Sequence, residues 1–234
     1  MANSTSTTTT TTTTTTLPQT GTSLRHVLLP QTQLLSTWMT SLRDQKTDNK
    51  RFVEVAQKVA AQLMVHALEF VPTTDREVWT PTSHPYPGCT YTQKLCGVSI
   101  WRAGASLEDA LRQAYDGPLS FGKILIQRDE KTARPTYLYS KFPSSIQESY
   151  VFILEPMLAT GGSICKAVQL VLDQGTPEDR IVVVSIMASR TALNNMGASF
   201  PSVAVVTASI DQNLSPERYI VPGLGDFGDR FYGT

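Results

Sequence analysis

The chain has 234 residues, enough for one domain with a tail, and 41% of them are hydrophobic, which is enough for a full core. Its 20 basic residues balance 20 acidic ones, which excludes a broad electrostatic attraction to nucleic acid or to an anionic membrane as the basis of function. An anionic ligand must then be met locally, by oriented backbone N–H groups and a few arginines.

Threonine and serine dominate residues 1–22, with an unbroken threonine run over residues 7–16. Such a tract has no apolar alternation and no face to bury, so a disordered tail is expected ahead of a single folded domain over residues 23–234. No apolar run approaches the roughly 18 residues of a membrane span, and the N-terminus lacks the basic-then-apolar layout of a secretion signal. Cys89, Cys96 and Cys165 form no metal-ligand pattern, and an odd number cannot all pair internally. The expectation is a reduced, cytoplasmic protein that engages neither membrane nor nucleic acid.

Folded sequence begins near His26. Phe52, Val55, Ala56, Val59, Ala60, Leu63, Met64 and Ala67 recur at helical spacing and predict one long amphipathic helix. His66 falls in that helix and reads as structural. Residues 72–90 hold Pro72, Pro81, Pro85 and Pro87 and read as a loop that packs its own Trp79, His84 and Tyr86. From Cys96 the rhythm changes. Residues 97–101 predict a strand, Arg102 to Gly104 a turn, and residues 106–115 a helix. Strands follow at residues 123–127 and 151–154. Ile164, Ala167, Val168, Val171 and Leu172 mark a helix that Gly175 is placed to end. Residues 181–187 and 203–206 are nearly continuous apolar runs, as in strands covered on both faces. Strands alternating with helices predict right-handed βαβ units and an α/β fold with a mostly parallel sheet.

Ligands of such sheets sit beyond the carboxyl ends of the strands, and residues 155–163 run from one strand end into a helix. There Thr160, Gly161, Gly162 and Ser163 meet a helix N-terminus, where N–H groups and the dipole favour an anion. The segment is not a Walker loop, because the Gly-Lys-Ser/Thr ending is missing, which argues against a nucleoside kinase. Glu155 stands at its entrance, where a carboxylate can accept hydrogen bonds from sugar hydroxyls. Arg102 and Arg128 each follow a buried strand and could offer a planar fork to phosphate. Asp129, Glu130 and Lys131 beside Arg128 read as its ion-pairing neighbours. Residues 223–228 formally match G-x-G-x-x-G, but a dinucleotide fingerprint needs a helix, a further strand and an acidic residue about 20 positions on. The chain stops at Thr234. A glycine segment there can instead fold over a planar base and present backbone N–H and C=O groups to its edge.

Four segments together resemble uracil phosphoribosyltransferases: residues 97–100 with 102–104, then 122–130, 156–163 and 219–230, within a likeness that runs from about His26 to Thr234. Residues 28–32 resemble the fungal branch in particular. The resemblance implies a type I phosphoribosyltransferase fold, with helices flanking the sheet, a base-binding hood and a flexible arm that includes Thr132 to Lys141. It implies transfer of the phosphoribosyl group of 5-phosphoribosyl 1-diphosphate to uracil, giving UMP and diphosphate in pyrimidine salvage. Arg102 and Arg128 would then contact the diphosphate, and Glu155, Pro156, Met157, Leu158, Ala159, Thr160, Gly161, Gly162 and Ser163 would hold the ribose and its 5′-phosphate. Ile220, Gly225, Asp226 and Phe227 would read uracil. Asp226 would also lie near the magnesium–diphosphate group and is the residue expected to act directly in the chemistry. Mg2+ is implied as a cofactor carried by the diphosphate, along with a homodimer or larger homo-oligomer and GTP as an effector.

Two positions depart from the family pattern. Glu155 stands where aspartate is usual, and Trp101 replaces a smaller aliphatic residue beside Arg102. The longer carboxylate motivates a second reading, a donor-binding sensor with weak catalysis. A third, an RNA-binding regulator of the same fold, lacks a basic cluster to support it.

Overall fold

The computed structural model describes residues 25–128 and 135–234. The threonine-rich tail, the expected domain start at residue 23, the neighbours Asp129 to Lys131 and residues 132–134 of the arm lie outside the described residues.

Strand β1 (Arg25–Leu28) leads into helix α1 (Gln33–Arg43), which Thr32 caps by accepting a hydrogen bond from the Leu35 N–H at 3.1 Å. Helix α2 (Asn49–Leu68) is the predicted amphipathic helix. Asp48 caps it through the Arg51 N–H at 2.8 Å, and every residue of the predicted stripe, Phe52 to Ala67, is buried. His66 sits half-buried on its last turn.

The segment read as a loop is instead a hairpin, β2 (Thr73–Trp79) paired antiparallel with β3 (Pro85–Tyr91). A two-stranded ribbon explains why the prolines did not forbid it. Both of its strands are edges, so Pro85 and Pro87 can stand opposite Trp79 and Glu77 without breaking a second ladder.

Strand β4 (Leu95–Trp101) is followed by a 3-10 helix over Ala103–Leu107 and then by α3 (Glu108–Ala114). The helix expected from residue 106 thus starts slightly later, and the expected turn is a tight helical one. Next come β5 (Leu119–Arg128), β6 (Pro135–Lys141), β7 (Tyr150–Leu154), the short β8 (Met157–Leu158) and α4 (Gly162–Leu172). Gly175, at φ +90°, closes the turn after α4, as its position predicted. Strand β9 (Ile181–Ser189), α5 (Arg190–Ser199) and β10 (Ala204–Asp211) complete the sheet, and a hairpin of β11 (Asn213–Leu214) and β12 (Ile220–Val221) precedes α6 (Phe227–Tyr232).

The main sheet has the order β1-β10-β9-β7-β4-β5-β6, with β8 also on β9. Every pair in it is parallel except β5–β6. One core cluster joins α1, α2, α3 and α6 to one face, and the other joins α4 and α5 to the opposite face. β9 is buried at all nine positions, which accounts for its unbroken apolar run. From β4 the chain moves outward to β5 and β6 on one side, then returns to β7 on the other. The crevice between the carboxyl ends of β4 and β7 is therefore the topological switch point, where open α/β sheets bind ligands. Among the described residues, no helix is long and apolar enough to cross a membrane.

Candidate active site

The first wall of the crevice is built by the end of β4. Gly104 packs its Cα against β7 so closely that a Cβ there would lie 2.1 Å from the Leu154 carbonyl oxygen. No other residue type fits, and the chain is forced to turn sharply just past Arg102. The Trp101–Arg102 peptide is cis. Beneath it, Ser99 donates to Glu108 Oε1 at 2.6 Å and Lys123 pairs with the same carboxylate, linking β4, α3 and β5 under the turn. Arg102 is half-exposed, and its guanidinium reaches α6, where it pairs with Asp229.

The second wall is the β7–α4 turn. Helix α4 begins on Gly161, at φ +86° and with no side-chain cap, and a Cβ there would also crowd Ala192 at 3.3 Å. Glycine is needed both for the left-handed backbone and for the close approach. The serine cap of an ordinary helix start is absent; Thr160 Oγ1 only accepts a long 3.4 Å bond from the Gly162 N–H. The turn is held from behind. Asn195 donates to the Thr160 carbonyl at 2.9 Å, and Ser189 donates to the Ala159 carbonyl. An uncapped helix N-terminus on a fixed turn is suited to an anion.

The third wall is the C-terminal segment. After β12 come a cis Val221–Pro222 peptide, Gly223 at φ +62° and Gly225 at φ +83°. Asp226 then caps α6 by accepting from the Asp229 N–H at 2.9 Å. Phe227 anchors that helix in the core, with its ring centroid 5.4 Å from that of Phe52. Burial pushes the Tyr232 phenol up, and the Arg102 charge only partly opposes this, so it stays a neutral donor to the Arg102 carbonyl at 3.1 Å. Among the described residues, the glycines are followed by the single short helix α6.

These walls enclose one cleft of about 440 Å3, within the range of small-molecule sites. Of the residues predicted for phosphate and ribose, Arg102, Glu155, Met157, Ala159, Thr160 and Ser163 line it, and so do Ile220, Gly225, Asp226 and Phe227 of the base segment. Pro156 and Leu158 instead face the core: Leu158 is 2% exposed, and the buried Pro156 uses its carbonyl to accept from Ile186 and Met187. Gly161 and Gly162 shape the turn from just outside the lining. Ile126 of β5 lines the cleft and Arg128 ends that strand; the Arg128 side chain lies outside the described ones. The cleft also includes Trp101, Ala103, Glu217, Arg218, Tyr219 and Gly228, which sequence reasoning did not assign. Tyr219 and Gly228 lay inside a recognised segment, but only the fold of the β11–β12 hairpin brings Glu217 and Arg218 over the site.

A mostly parallel sheet with helices on both faces, whose switch point is closed by the glycine turn before α4 and by the C-terminal glycine segment, defines the type I phosphoribosyltransferase fold. The family model described as uracil phosphoribosyltransferase matches residues 29–234, and the chain belongs to that family. It is 42% identical to the uracil phosphoribosyltransferase of Lachancea kluyveri over 205 residues, which is 88% of this chain and 94% of the relative. Identity to the Saccharomyces cerevisiae uracil phosphoribosyltransferase is 41%, with the same coverage of 88% and 94%. Among solved structures, the AQ2163 protein of Aquifex aeolicus superposes with a TM-score of 0.80 at 27% identity, covering 89% of this chain and 98% of its own.

Proposed function

We infer that the cleft joins uracil to the phosphoribosyl group of 5-phosphoribosyl 1-diphosphate, giving UMP and diphosphate. The observation that carries this reading is the convergence of the β4 end, the β7–α4 turn and the C-terminal glycine segment on one cavity. Family membership favours it over a sensor or an RNA-binding regulator.

In this reading the α4 N-terminus with Thr160 and Ser163 holds the 5′-phosphate, Glu155 the ribose hydroxyls, and the diphosphate falls to Arg102 and Arg128. Ile220 and residues 225–227 meet uracil. Uracil N1 displaces diphosphate at ribose C1, so negative charge accumulates on the leaving group. Arg102 is held in place before the reaction starts, and preorganised charge of this kind is often the largest part of catalysis. Two substrates fixed in one cleft add the effect of orientation. Asp226 is the carboxylate best placed to take part directly, and no side chain stands out as a dedicated general base.

Among the described residues, no group of three or more His, Cys, Asp or Glu side chains could hold a metal unaided. Glu155 and Asp226 both line the cleft, and two carboxylates suit a magnesium ion whose other ligands are phosphate oxygens and water. Bound in that way, magnesium would supply further neutralisation of the departing diphosphate. A homodimer or larger assembly belongs to the same reading, supported by the exposed Trp79 and Tyr86 of the β2–β3 hairpin.

The test is direct. Labelled uracil incubated with the donor and magnesium should yield labelled UMP, and adenine or hypoxanthine should yield no nucleotide. Donor binding with no UMP formed would reject the reading.

A further inference from the structure

Behind the glycine clasp, and outside the cleft lining, stands a network that sequence reasoning did not assign. Arg43 ends α1 and directs its guanidinium at the end of β10. Its Nη1 donates to Asp211 Oδ2 at 2.8 Å and to the Gly223 carbonyl at 2.9 Å. Its Nη2 donates to Asp211 Oδ1 at 2.7 Å and to Ser209 Oγ at 2.8 Å. Asp211 in turn accepts from the Gly223 N–H at 2.9 Å. One ion pair thus engages both backbone polar groups of Gly223. The glycine itself is irreplaceable, since a Cβ would lie 2.1 Å from the Ile220 carbonyl oxygen.

Arg230 holds the next residue. Its Nη1 donates to the Leu224 carbonyl at 2.7 Å and also to the Leu42 carbonyl, while Nη2 donates to the Asp44 carbonyl at 2.8 Å. Its guanidinium lies 4.3 Å from the centroid of the Phe52 ring. The end of α1 is therefore bound twice to the backbone immediately ahead of Gly225.

We propose that Arg43, Asp211 and Arg230 are positioning residues for the nucleobase: they fix Gly223 and Leu224 so that the backbone of residues 225–227 is held ready for the base edge. The proposal rests on the reading of residues 225–227 as the uracil segment. Recognition by main-chain N–H and C=O groups is only as selective as the main chain is rigid, and a misplacement of about 1 Å can cost on the order of 100-fold in rate. The chemistry of the network suits that task. Burial pushes the Asp211 carboxyl up, but the Arg43 hydrogen bonds, the Gly223 N–H and the Arg43 charge outweigh this and hold it below the usual aspartate value. The carboxylate stays ionised wherever the enzyme would work.

The test uses steady-state kinetics of the full chain with each substrate varied in turn. Arg43→Lys keeps the charge but loses the fork that reaches three partners at once. It should raise the KM for uracil at least fivefold and leave the KM for the donor within twofold. Ser209→Ala, a milder change that keeps the ion pair, should raise the uracil KM about two- to threefold and fold normally. Gly225→Ala, strained by its φ of +83°, serves as the control on the clasp itself. If Gly225→Ala raises the uracil KM and neither other variant does, the positioning role is wrong and the base segment stands. Should both substrates' KM values rise together in Arg43→Lys and Ser209→Ala, the network is merely structural and the proposal is overturned. If even Gly225→Ala leaves the uracil KM unchanged, the base reading fails and the positioning role falls with it. An Arg43→Lys protein that did not fold would leave the decision to Ser209→Ala by the same criteria.

Discussion

Arg102 Nη2 lies 2.8 Å from Asp229 Oδ1, tying the end of β4 to α6 across the cleft. The same guanidinium donates to Thr234 Oγ1 at 3.2 Å and lies 5.2 Å from the centroid of the Tyr232 ring. Both partners of the pair are about half-exposed, at 51% and 54%, so it adds no more than about 1 kcal/mol to stability. Its consequence is orientation. The guanidinium plane is set by Asp229 and Tyr232 of α6 and by Thr234 just beyond it, beside the segment that carries Asp226.

Arg102→Ala should therefore separate activity from folding. Losing a surface pair worth up to about 1 kcal/mol moves the Tm of a chain this size by no more than about 4 °C. Turnover should fall at least tenfold, and Arg102→Lys should recover only part of it, because an ammonium does not offer a planar fork. Calorimetry and UMP formation on the same preparations check both. Full turnover in the alanine variant would remove Arg102 from the site.

Asp226 has two roles that one substitution confuses. It lines the cleft and it caps α6. Asp226→Ala removes both, and loss of the cap alone costs about 1 kcal/mol. Asp226→Asn keeps an acceptor for the Asp229 N–H and removes only the charge. Turnover should fall at least tenfold in both variants, while the Tm should fall in the alanine variant alone. An asparagine variant with undiminished turnover would show that the carboxylate charge has no part in the reaction.

How far the sequence could be read follows from where the signals are local. The α2 stripe and the buried strands β7 and β9 were legible because burial on one or both faces writes a period or an unbroken apolar run into the chain. The β7–α4 turn was legible because Gly161 answers a backbone demand that few residues meet. The β2–β3 ribbon was not, because its prolines resemble loop punctuation until it is known that, among the described residues, no second strand flanks them. Arg43 and Asp211 carry no local signal at all, and Arg230 shows only as the last residue of a recognised segment. The contacts that join them across the fold span most of the chain, Arg43 being 168 positions from Asp211 and Arg230 being 188 from Leu42. Only the docking of α1 against the C-terminal segment makes them a unit.

Glu155 is 8% exposed and lines the cleft, at the position where the resemblance leads one to expect aspartate. If Glu155 holds the ribose as proposed, one methylene more than aspartate shifts the carboxylate by roughly 1 Å, a displacement that can cost on the order of 100-fold in rate. Glu155→Asp should accordingly raise kcat, or lower the KM for the donor, with the uracil KM unchanged. A loss of activity would mean that the surrounding turn has adapted to the longer side chain.

The three thiols should differ sharply in reactivity. Cys89 is exposed, whereas Cys96 and Cys165 are buried and half-buried. Burial pushes the Cys96 thiol up to about 11, with small opposing contributions from Ser120 and the Gly122 backbone, and burial also raises Cys165. At pH 8, iodoacetamide should label Cys89 in the native protein and reach Cys96 only after denaturation, because the thiolate is the nucleophile. The same shift sets a sign for stability. A thiol whose folded value lies above its unfolded value of 9.0 contributes fully below pH 9, and that contribution is lost as the pH rises toward about 11. The two-unit difference corresponds to at most about 3 kcal/mol. Urea midpoints measured from pH 8 to pH 11 should therefore fall more steeply for the natural chain than for Cys96→Ala, in which this titration is absent. Parallel declines would mean that Cys96 ionises as easily folded as unfolded, and that the interior beside β4 admits water.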